Sequence, residues 1–206
     1  MTHNYKFTEP WFDSMKPSWD KLFNSYINEN KHKINSVLEI GCFEGKATTY
    51  MADNWLDEGT QYDVVDTFGG SATESGMKHI MDKLETEDFI YNNFTHNISF
   101  HPNIKWDINR GMSQSILPKL CDEGRKYDFI YIDASHQSDD TFVDAYYAHK
   151  MLNDKGIMIF DDFGWRDPDN DDINHSPAFG ISMFVQLYSK YYGIVLQGYQ
   201  IGLFKQ

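Results

Sequence analysis

The stretch that decides the fold is VLEIGCFEGKATTYMADNW, residues 37–55, in which an apolar run passes through two glycines into a helix-like segment. The glycines are Gly41 and Gly45. A strand that ends at one glycine and enters a helix at a second brings bare backbone close to a ligand, under the positive end of the helix. The stretch therefore predicts a binding turn between a first strand and a first helix.

The residues around this turn indicate which ligand it suits. A dinucleotide-binding loop reads Gly-x-Gly-x-x-Gly, and Phe43 stands where the middle glycine is needed. Glu39, two residues before the first glycine, would place a carboxylate at the edge of the crevice. A carboxylate in this position suits a cationic ligand better than a phosphate.

Composition limits the class of protein to which the turn belongs. The chain has 206 residues, of which 41% are hydrophobic, so it suits one compact domain over residues 1–206 with a sizeable core. Its 31 acidic residues against 18 basic residues disfavour a nucleic-acid partner. Cys42 and Cys121 lack metal-ligand spacing, and no apolar run reaches the roughly 18 residues of a membrane span. We expect a cytoplasmic protein without a membrane partner.

Short apolar runs alternate with helix-length amphipathic stretches, a pattern typical of a parallel sheet covered by helices. Strands are predicted at residues 36–40, 61–66, 103–107, 126–132, 156–160, 194–199 and 202–205. Helices are predicted at residues 46–55, 75–92, 113–121, 141–152 and 177–191. The last two strands should pair antiparallel, because only a tight turn separates them. The predicted fold class is α/β, with a Rossmann-like seven-stranded sheet, mostly parallel with a C-terminal antiparallel hairpin, and helices on both faces.

Three segments lie outside this alternation. Residues 1–35 are rich in aromatic side chains and predict a helical cap over the core. Residues 67–102 and 163–176 follow strands on the side of the sheet where ligands bind in open α/β folds. These two segments are therefore candidates for lids or substrate loops.

The pattern Glu-x-Gly-x-x-x-Gly after the first strand, followed by Asp66 at the end of the second, resembles class I S-adenosylmethionine-dependent methyltransferases. Three further stretches match landmarks of that family: VVDTFGG (64–70), YDFIYIDASHQSDDTFVDA (127–145) and LNDKGIMIFDDFGW (152–165). The resemblance covers nearly the whole chain. Within the family, Asp-Thr-Phe-Gly-Gly after the second strand and Ile-Asp-Ala-Ser-His after the fourth resemble the group whose members often methylate hydroxyls of sugars and natural products.

The resemblance implies that S-adenosyl-L-methionine binds along the first two strands. Glu39 and the turn would face its methionine end, and the carboxylate of Asp66 would accept both ribose hydroxyls. The implied cofactor-binding set is Glu39, Gly41, Cys42, Phe43, Gly45, Asp66, Thr67, Phe68, Met112, Ser113 and Asp133, with Phe68 or Met112 and Ser113 flanking the adenine ring. The alternatives are a solvated acid for Glu39, a helix cap for Asp66 and a core aromatic for Phe68.

The residues after the fourth strand are expected to lie where the methyl group is transferred, which we call the reacting end. Asp133 follows the apolar run of this strand, and His136 stands three residues further on. Methyl transfer to an oxygen nucleophile needs in-line positioning and a group that takes the hydroxyl proton. Histidine can accept that proton near neutral pH. The alternative is that His136 only caps the next helix or lies at the surface.

Asp161 and Asp162 follow the fifth strand, at the same end of the sheet as Asp133. Three carboxylates at close quarters repel one another unless they are protonated or bridged by a cation, and Mg²⁺ prefers oxygen ligands. The arrangement resembles the metal site of catechol-type O-methyltransferases, with His136 where those enzymes have a catalytic lysine, which puts a catechol substrate in doubt. In a metal-free alternative, Asp133 holds cofactor or substrate, and Asp162 or His136 is the base.

We therefore predict an O-methyltransferase that acts on a hydroxyl of a sugar, glycan or related small molecule, with Asp133, His136 and Asp162 as catalytic residues and a divalent ion such as Mg²⁺ at Asp133, Asp161 and Asp162. The alternatives are a catechol-like or other natural-product substrate, another transferase or oxidoreductase of the same fold, and a cofactor-binding protein without catalysis. Exposed aromatic residues near the N-terminus and the last helix could serve a homodimer.

Overall fold

A computed structural model of the protein describes residues 3–70, 88–167 and 170–206. Its strands form one mixed sheet with the order β3-β2-β1-β4-β5-β7-β6. The strands are Ser36–Ile40 (β1), Gln61–Asp66 (β2), Lys105–Arg110 (β3), Tyr127–Ile132 (β4), Leu152–Phe160 (β5), Tyr192–Gln197 (β6) and Ile201–Lys205 (β7).

The helices of the described residues cover both faces of this sheet. They are Lys16–Phe23 (α1), Lys46–Asn54 (α2), Phe89–Ile98 (α3), Ser113–Asp122 (α4), Ser138–Met151 (α5) and Pro177–Tyr188 (α6). One core joins α1, α2 and α3 to the face that carries Val37 and Phe129. A second core joins α4, α5 and α6 to the face that carries Leu38 and Ile130. Because side chains alternate along a strand, each buried strand contributes to both cores.

The strand order places a ligand crevice beside β1. This strand pairs in parallel with β2 on one side and with β4 on the other. The chain thus adds β2 and β3 on one side of β1 and then crosses to add β4 on the other side. Ligands of open α/β sheets bind at such a switch point, outside the carboxyl ends of the strands. The ends of β1, β2, β4 and β5 therefore define the candidate site.

The predicted fold class is confirmed. The sheet has seven strands, of which β7 pairs antiparallel with both β5 and β6, and its helices lie on both faces. The third strand begins two residues later than predicted, at Lys105, because the backbone of Ile104 turns back to donate to the carbonyl of His101. It continues to Arg110 as an edge strand, where polar side chains obscured it in the sequence.

The helix bounds differ from the predicted ones by a few residues in several places, and α3 and α5 show why. α5 begins at Ser138 rather than 141, since Asp139 and Asp140 in its first turn stabilise the helix N-terminus. The helix predicted at 75–92 falls largely on residues 71–87, which lie outside the described residues. Its described part runs on to Ile98, because polar Asn97 is buried and accepts from the backbone of Lys6.

The N-terminal segment forms an extended arm followed by helical turns. Residues 3–10 carry no regular helix or strand, a 3₁₀ turn spans Trp11–Ser14, and α1 runs into a π-helical turn at Asn24–Glu29. Trp19 and Phe23 are fully buried against the sheet. Trp11, in contrast, leaves 53% of its surface exposed. The described helices include none long and apolar enough to cross a membrane.

Candidate active site

The glycine turn is held in a conformation that needs glycine. Gly41 has φ +82°, and its N–H donates to the carbonyl of Val65 at 2.8 Å. A Cβ atom at this position would lie 2.0 Å from the carbonyl oxygen of Asp133. The turn therefore passes directly over the end of β4, which brings the first and fourth strands together at the crevice.

Asp66 supports the turn from the end of β2. One carboxylate oxygen accepts from the backbone N–H groups of Cys42 and Phe43 at 2.6 and 2.9 Å, and the other accepts from Phe68 at 2.6 Å. A carboxylate has about four lone-pair sites, so acceptor capacity remains for a ligand hydroxyl. In the structure Asp66 is an anchor of the turn as well as a wall of the crevice.

Glu39 lies beneath the turn and is 1% exposed. Its Oε2 accepts hydrogen bonds from Thr48 at 2.6 Å and Tyr62 at 2.7 Å, whereas Oε1 is buried without a hydrogen-bond partner among the described residues. Burial raises the pKa of Glu39 to about 7, against the effect of the two hydroxyl donors. A buried carboxylate oxygen with free lone pairs beside a cavity suits a cationic ligand group.

We expect the stability of the protein to report the titration of Glu39. Its folded pKa of about 7 lies above the ordinary value of 4.5, so the folded state holds the proton more tightly and stability falls as the pH rises between these values. Between about pH 5.5 and about pH 8.5 this group alone removes about 2 kcal/mol from the free energy of unfolding. Urea denaturation of Glu39→Gln should show a correspondingly weaker pH dependence. An unchanged pH dependence would assign the titration to another group.

One cavity of about 890 Å³ connects the glycine turn to the ends of β4 and β5. Glu39, Asp66 and the backbone of the turn form one end of it, and Asp133, His136 and Asp162 form the other. Cavities of this size accommodate small-molecule ligands and cofactors. The sequence-predicted cofactor end and reacting end thus share a single space.

His136 and Asp162 form an ion-pair geometry at the reacting end. Nε2 of His136 lies 2.8 Å from Oδ2 of Asp162, and the hydroxyl of Tyr199 donates to Oδ1 of the same carboxylate at 2.7 Å. The Trp165 ring packs on the imidazole with a centroid distance of 4.2 Å. Burial raises the pKa of Asp162, but the hydrogen bonds from His136 and Tyr199 outweigh this effect and hold the pKa below its usual range. The carboxylate is therefore ionised and able to orient the imidazole.

Asp133 and Asp161 differ from Asp162 in their surroundings. The Tyr131 hydroxyl hydrogen-bonds Asp161 and lies 3.2 Å from Oδ2 of Asp133. Burial, followed by the charges of Asp161 and Asp162, raises the pKa of Asp133 well above its usual range. Burial and the charge of Asp162 raise the pKa of Asp161 to about 6. Charge repulsion is thus concentrated at this end of the cavity, as expected where a cation binds.

The donor atoms that approach one another are not the three carboxylates predicted to hold a metal. One donor each from Asp133, His136 and Asp162 lie within 4.8 Å of one another. Asp161 is directed to Tyr131 instead and stands outside this close group. In this conformation His136 rather than Asp161 completes the close group, and the metal set of Asp133, Asp161 and Asp162 stays a prediction.

Several predicted cofactor-binding residues lie elsewhere than expected. Phe68 is 1% exposed and packs against Tyr91 and Phe94, so the structure corrects its assignment to the adenine site. Gly45 faces Phe94 rather than the cavity, because a Cβ there would lie 2.8 Å from that ring. The other nine predicted cofactor residues lie on the cavity wall: Glu39, Gly41, Cys42, Phe43, Asp66, Thr67, Met112, Ser113 and Asp133.

The sequence analysis missed several residues that line the cavity. Trp11 comes from the N-terminal segment and lies against Phe43 with a centroid distance of 5.3 Å. Trp165 and Tyr199 come from the end of β5 and from the hairpin. Gln114, directly after Ser113, and Trp165, within the predicted lid segment 163–176, had local signals that could have indicated them. The others depend on tertiary contacts between distant segments.

The chain belongs to a family of methyltransferase domains. The sequence model with that description, "Methyltransferase domain", matches residues 38–163, which is more than half of the chain. The match spans the glycine turn, Asp133 and the Asp161–Asp162 pair. The sequence-based assignment to methyltransferases is therefore confirmed. Comparison with curated proteins gives no match.

Solved methyltransferases share the fold at low sequence identity. An O-methyltransferase from Bacillus cereus in complex with SAH is 18% identical, with a TM-score of 0.58, over 92% of this chain and 81% of that chain. A calicheamicin methyltransferase is 14% identical, with a TM-score of 0.64, over 95% and 80%. The mycinamycin methyltransferase MycE, in complex with Mg, SAH and mycinamycin VI, is 14% identical, with a TM-score of 0.56, over 99% and 50%. This chain is thus similar in fold to enzymes of natural-product synthesis.

Proposed function

We propose that the protein is an S-adenosyl-L-methionine-dependent O-methyltransferase that acts on a hydroxyl of a sugar, glycan or related small molecule. One observation carries the proposal: the single cavity joins the Glu39 turn to the cluster of Asp133, His136 and Asp162. A methyl donor at the first end would place its reactive group towards a base at the second. The proposal includes a cytoplasmic location, supported by free thiols at Cys42 and Cys121.

The cofactor end fits a molecule with a cationic amino acid group and a ribose. Oε1 of Glu39, which has no hydrogen-bond partner among the residues that the structure describes, can accept from an ammonium group. Asp66 keeps acceptor capacity for ribose hydroxyls beside the backbone of Cys42 and Phe43. Met112, which is 56% exposed, and Ser113 line the part of the cavity that would take the adenine ring.

The reacting end fits a divalent cation. Asp133 and Asp162 offer carboxylate oxygens within 4.8 Å of one another, next to His136. Burial, followed by the charges of Asp161 and Asp162, raises the pKa of Asp133, and a cation would relieve this repulsion. Asp161 could join this set if its contact with Tyr131 opened. A bound Mg²⁺ would lower the pKa of a coordinated acceptor hydroxyl and hold it in place. That MycE was solved in complex with Mg supports testing this ion.

His136 is the base in this proposal. The acceptor oxygen forms a bond to the methyl carbon, the sulfur–methyl bond breaks, and its electron pair stays on sulfur as a neutral thioether. The hydroxyl proton passes to the imidazole, whose new positive charge the ionised Asp162 stabilises at 2.8 Å. The metal-free alternative uses the same transfer, with Asp133 as a substrate anchor.

Aromatic side chains support a sugar-like acceptor. Trp165 and Tyr199 contact the His136–Asp162 pair, and Trp11 lines the same cavity beside Phe43. Their rings offer apolar faces on which the C–H groups of a sugar ring can pack. Glu9 and Gln137 add polar groups to the same wall. The calicheamicin and mycinamycin methyltransferases, which share the fold, support natural products as the acceptor class.

A labelled-methyl assay tests the proposal. Transfer from S-adenosyl-L-methionine is measured to nucleotide sugars, rhamnose-type and other glycosides, and catechols, with and without chelator. We expect label on a sugar hydroxyl, loss of transfer with chelator and recovery with Mg²⁺. Transfer that persists with chelator would support the metal-free alternative. Label on catechols alone would favour the catechol-like substrate, and cofactor binding without any transfer would favour a protein that lacks catalysis.

A homodimer stays a prediction. Apolar side chains are exposed at i, i+4 and i+8 on α6, namely Phe179, Met183 and Leu187, and the edge strand β6 exposes Ile194 and Val195. Exposed apolar patches of this kind mark interaction surfaces in soluble proteins. Measuring the molar mass in solution would test whether the protein pairs.

A further inference from the structure

A second cluster of metal-binding side chains lies away from the candidate active site. His3 comes from the N-terminal arm, Asp53 from α2 and His101 from the loop before β3. Nε2 of His3 lies 3.8 Å from Oδ1 of Asp53, and Nε2 of His101 lies 3.5 Å from the same oxygen. All three donor atoms lie within 4.8 Å of one another.

The distances between these donors suit a small tetrahedral ion. Zinc binds imidazole nitrogen and carboxylate oxygen at about 2.0–2.2 Å, so neighbouring tetrahedral ligands stand about 3.3 Å apart. The distances from the His101 and His3 nitrogens to Oδ1 of Asp53, 3.5 and 3.8 Å, need to shorten by only a few tenths of an ångström. Two imidazoles with one carboxylate favour Zn²⁺ over Mg²⁺, which prefers oxygen ligands.

The surroundings of the cluster hold its side chains in place. The Tyr5 hydroxyl lies 3.0 and 3.1 Å from the two carboxylate oxygens of Asp53 and 2.7 Å from Nε2 of His101. The His3 ring packs against Phe100 at a centroid distance of 4.9 Å. These contacts limit the motion of the side chains that would hold an ion.

We propose that His3, Asp53 and His101 bind a Zn²⁺-type ion that fastens the N-terminal arm to the body of the protein. The ion takes the place of the Tyr5 hydroxyl at Nε2 of His101, while Tyr5 stays a hydrogen-bond donor to Asp53 outside the first shell, and water completes the coordination. The site is structural in character and distinct from the cation at the reacting end.

Fastening the arm matters because the arm continues into the cavity wall. Beyond His3, the backbone of Lys6 donates to Asn97 at 2.7 Å, and the backbone of Thr8 donates to Glu44 at 2.6 Å. Phe7, Glu9 and Trp11 then line the cavity. An ion at the start of this segment would therefore limit its opening, at a distance from the reacting groups.

Zinc titration of the tag-free, chelator-treated protein tests the site. Bound Zn²⁺ is counted by calorimetry with Mg²⁺ in excess, for the unmodified protein, His3→Ala and His101→Ala. We expect each substitution to remove one equivalent of bound Zn²⁺, and His32→Ala, a matched half-buried histidine outside the cluster, to remove none. His3→Ala lies in the arm outside the regular elements, so it leaves the fold intact, which circular dichroism verifies.

Limited proteolysis gives a second readout. Lys6 is exposed in the arm, and we expect Zn²⁺ to slow trypsin cleavage after it in the unmodified protein but not in His3→Ala. Co²⁺ substitution should give the visible absorption of a tetrahedral site that His3→Ala abolishes. Equal zinc stoichiometry in all the proteins, or zinc-independent cleavage at Lys6, would overturn the proposal. Because no readout uses methyl transfer, the proposed function is tested separately.

Discussion

His136→Gln should lower the rate of methyl transfer by about 10²–10⁴-fold, the usual contribution of a positioned general base. Glutamine keeps a hydrogen-bonding group near Oδ2 of Asp162, which the imidazole meets at 2.8 Å, but it cannot accept a proton near neutral pH. The side chain lies at the opposite end of the cavity from Glu39, so cofactor affinity should stay within about twofold. Single-turnover kinetics with labelled cofactor, together with cofactor binding by calorimetry, measure the two quantities.

Two further variants serve as a control and a partner test for His136→Gln. His32→Gln removes a histidine outside the cavity and should leave the rate unchanged. Asp162→Asn keeps the shape of the His136 partner but removes the charge that stabilises the imidazolium, so it should reduce the rate as well. If His136→Gln retains more than about a fifth of the activity, another group takes the proton, and Asp162 becomes the candidate base.

The sheet could be predicted because its signals are local. Each buried strand is a short apolar run, and the pairing of β1 with β2 and β4 follows from the rules of parallel α/β sheets. The same rules bring Asp133 and Asp162 together, since both follow adjacent strands at their carboxyl ends. Sequence reasoning can therefore locate the site residues that directly follow a strand.

The orientations of neighbouring side chains could not be predicted. Asp161 and Asp162 are adjacent in sequence, yet one contacts Tyr131 and the other His136. Asp162 has φ +56°, which turns its side chain away from that of its neighbour. Phe68 has φ +55° and turns into the core in a similar way. Such left-handed residues redirect side chains at the ends of strands, and their sequence does not show this.

Contacts between distant segments also could not be predicted from the sequence. Trp11 lines the cavity because the arm and its first turn are held by Asn97 and Glu44, far along the chain. His3 meets Asp53 and His101 only because the same arm crosses α2. No spacing in the sequence relates these residues. The position of Trp11 on the cavity wall and the cluster of His3, Asp53 and His101 therefore depend on tertiary contacts alone.

Gly41→Ala should destabilise the protein by about 3 kcal/mol or more. The left-handed backbone at φ +82° disfavours alanine, and the new Cβ would stand 2.0 Å from the carbonyl oxygen of Asp133 and 2.7 Å from Cα of Ala134. These contacts are backbone atoms at the end of β4, which cannot move aside as a flexible side chain can. Relief of the clash would have to separate the turn from β4 and so open the cofactor end of the cavity.

Gly59→Ala is the matched control for Gly41→Ala. Gly59 has nearly the same backbone, with φ +85°, but a Cβ there meets no atom within 4 Å. Its substitution should therefore cost only about 1 kcal/mol, from the left-handed conformation alone. Urea denaturation of both variants isolates the close approach of the turn to β4, because the conformational penalty is common to both. If the two free energies of unfolding agree within about 0.5 kcal/mol, the turn has room for a side chain, and the close contact with Asp133 does not explain the need for glycine.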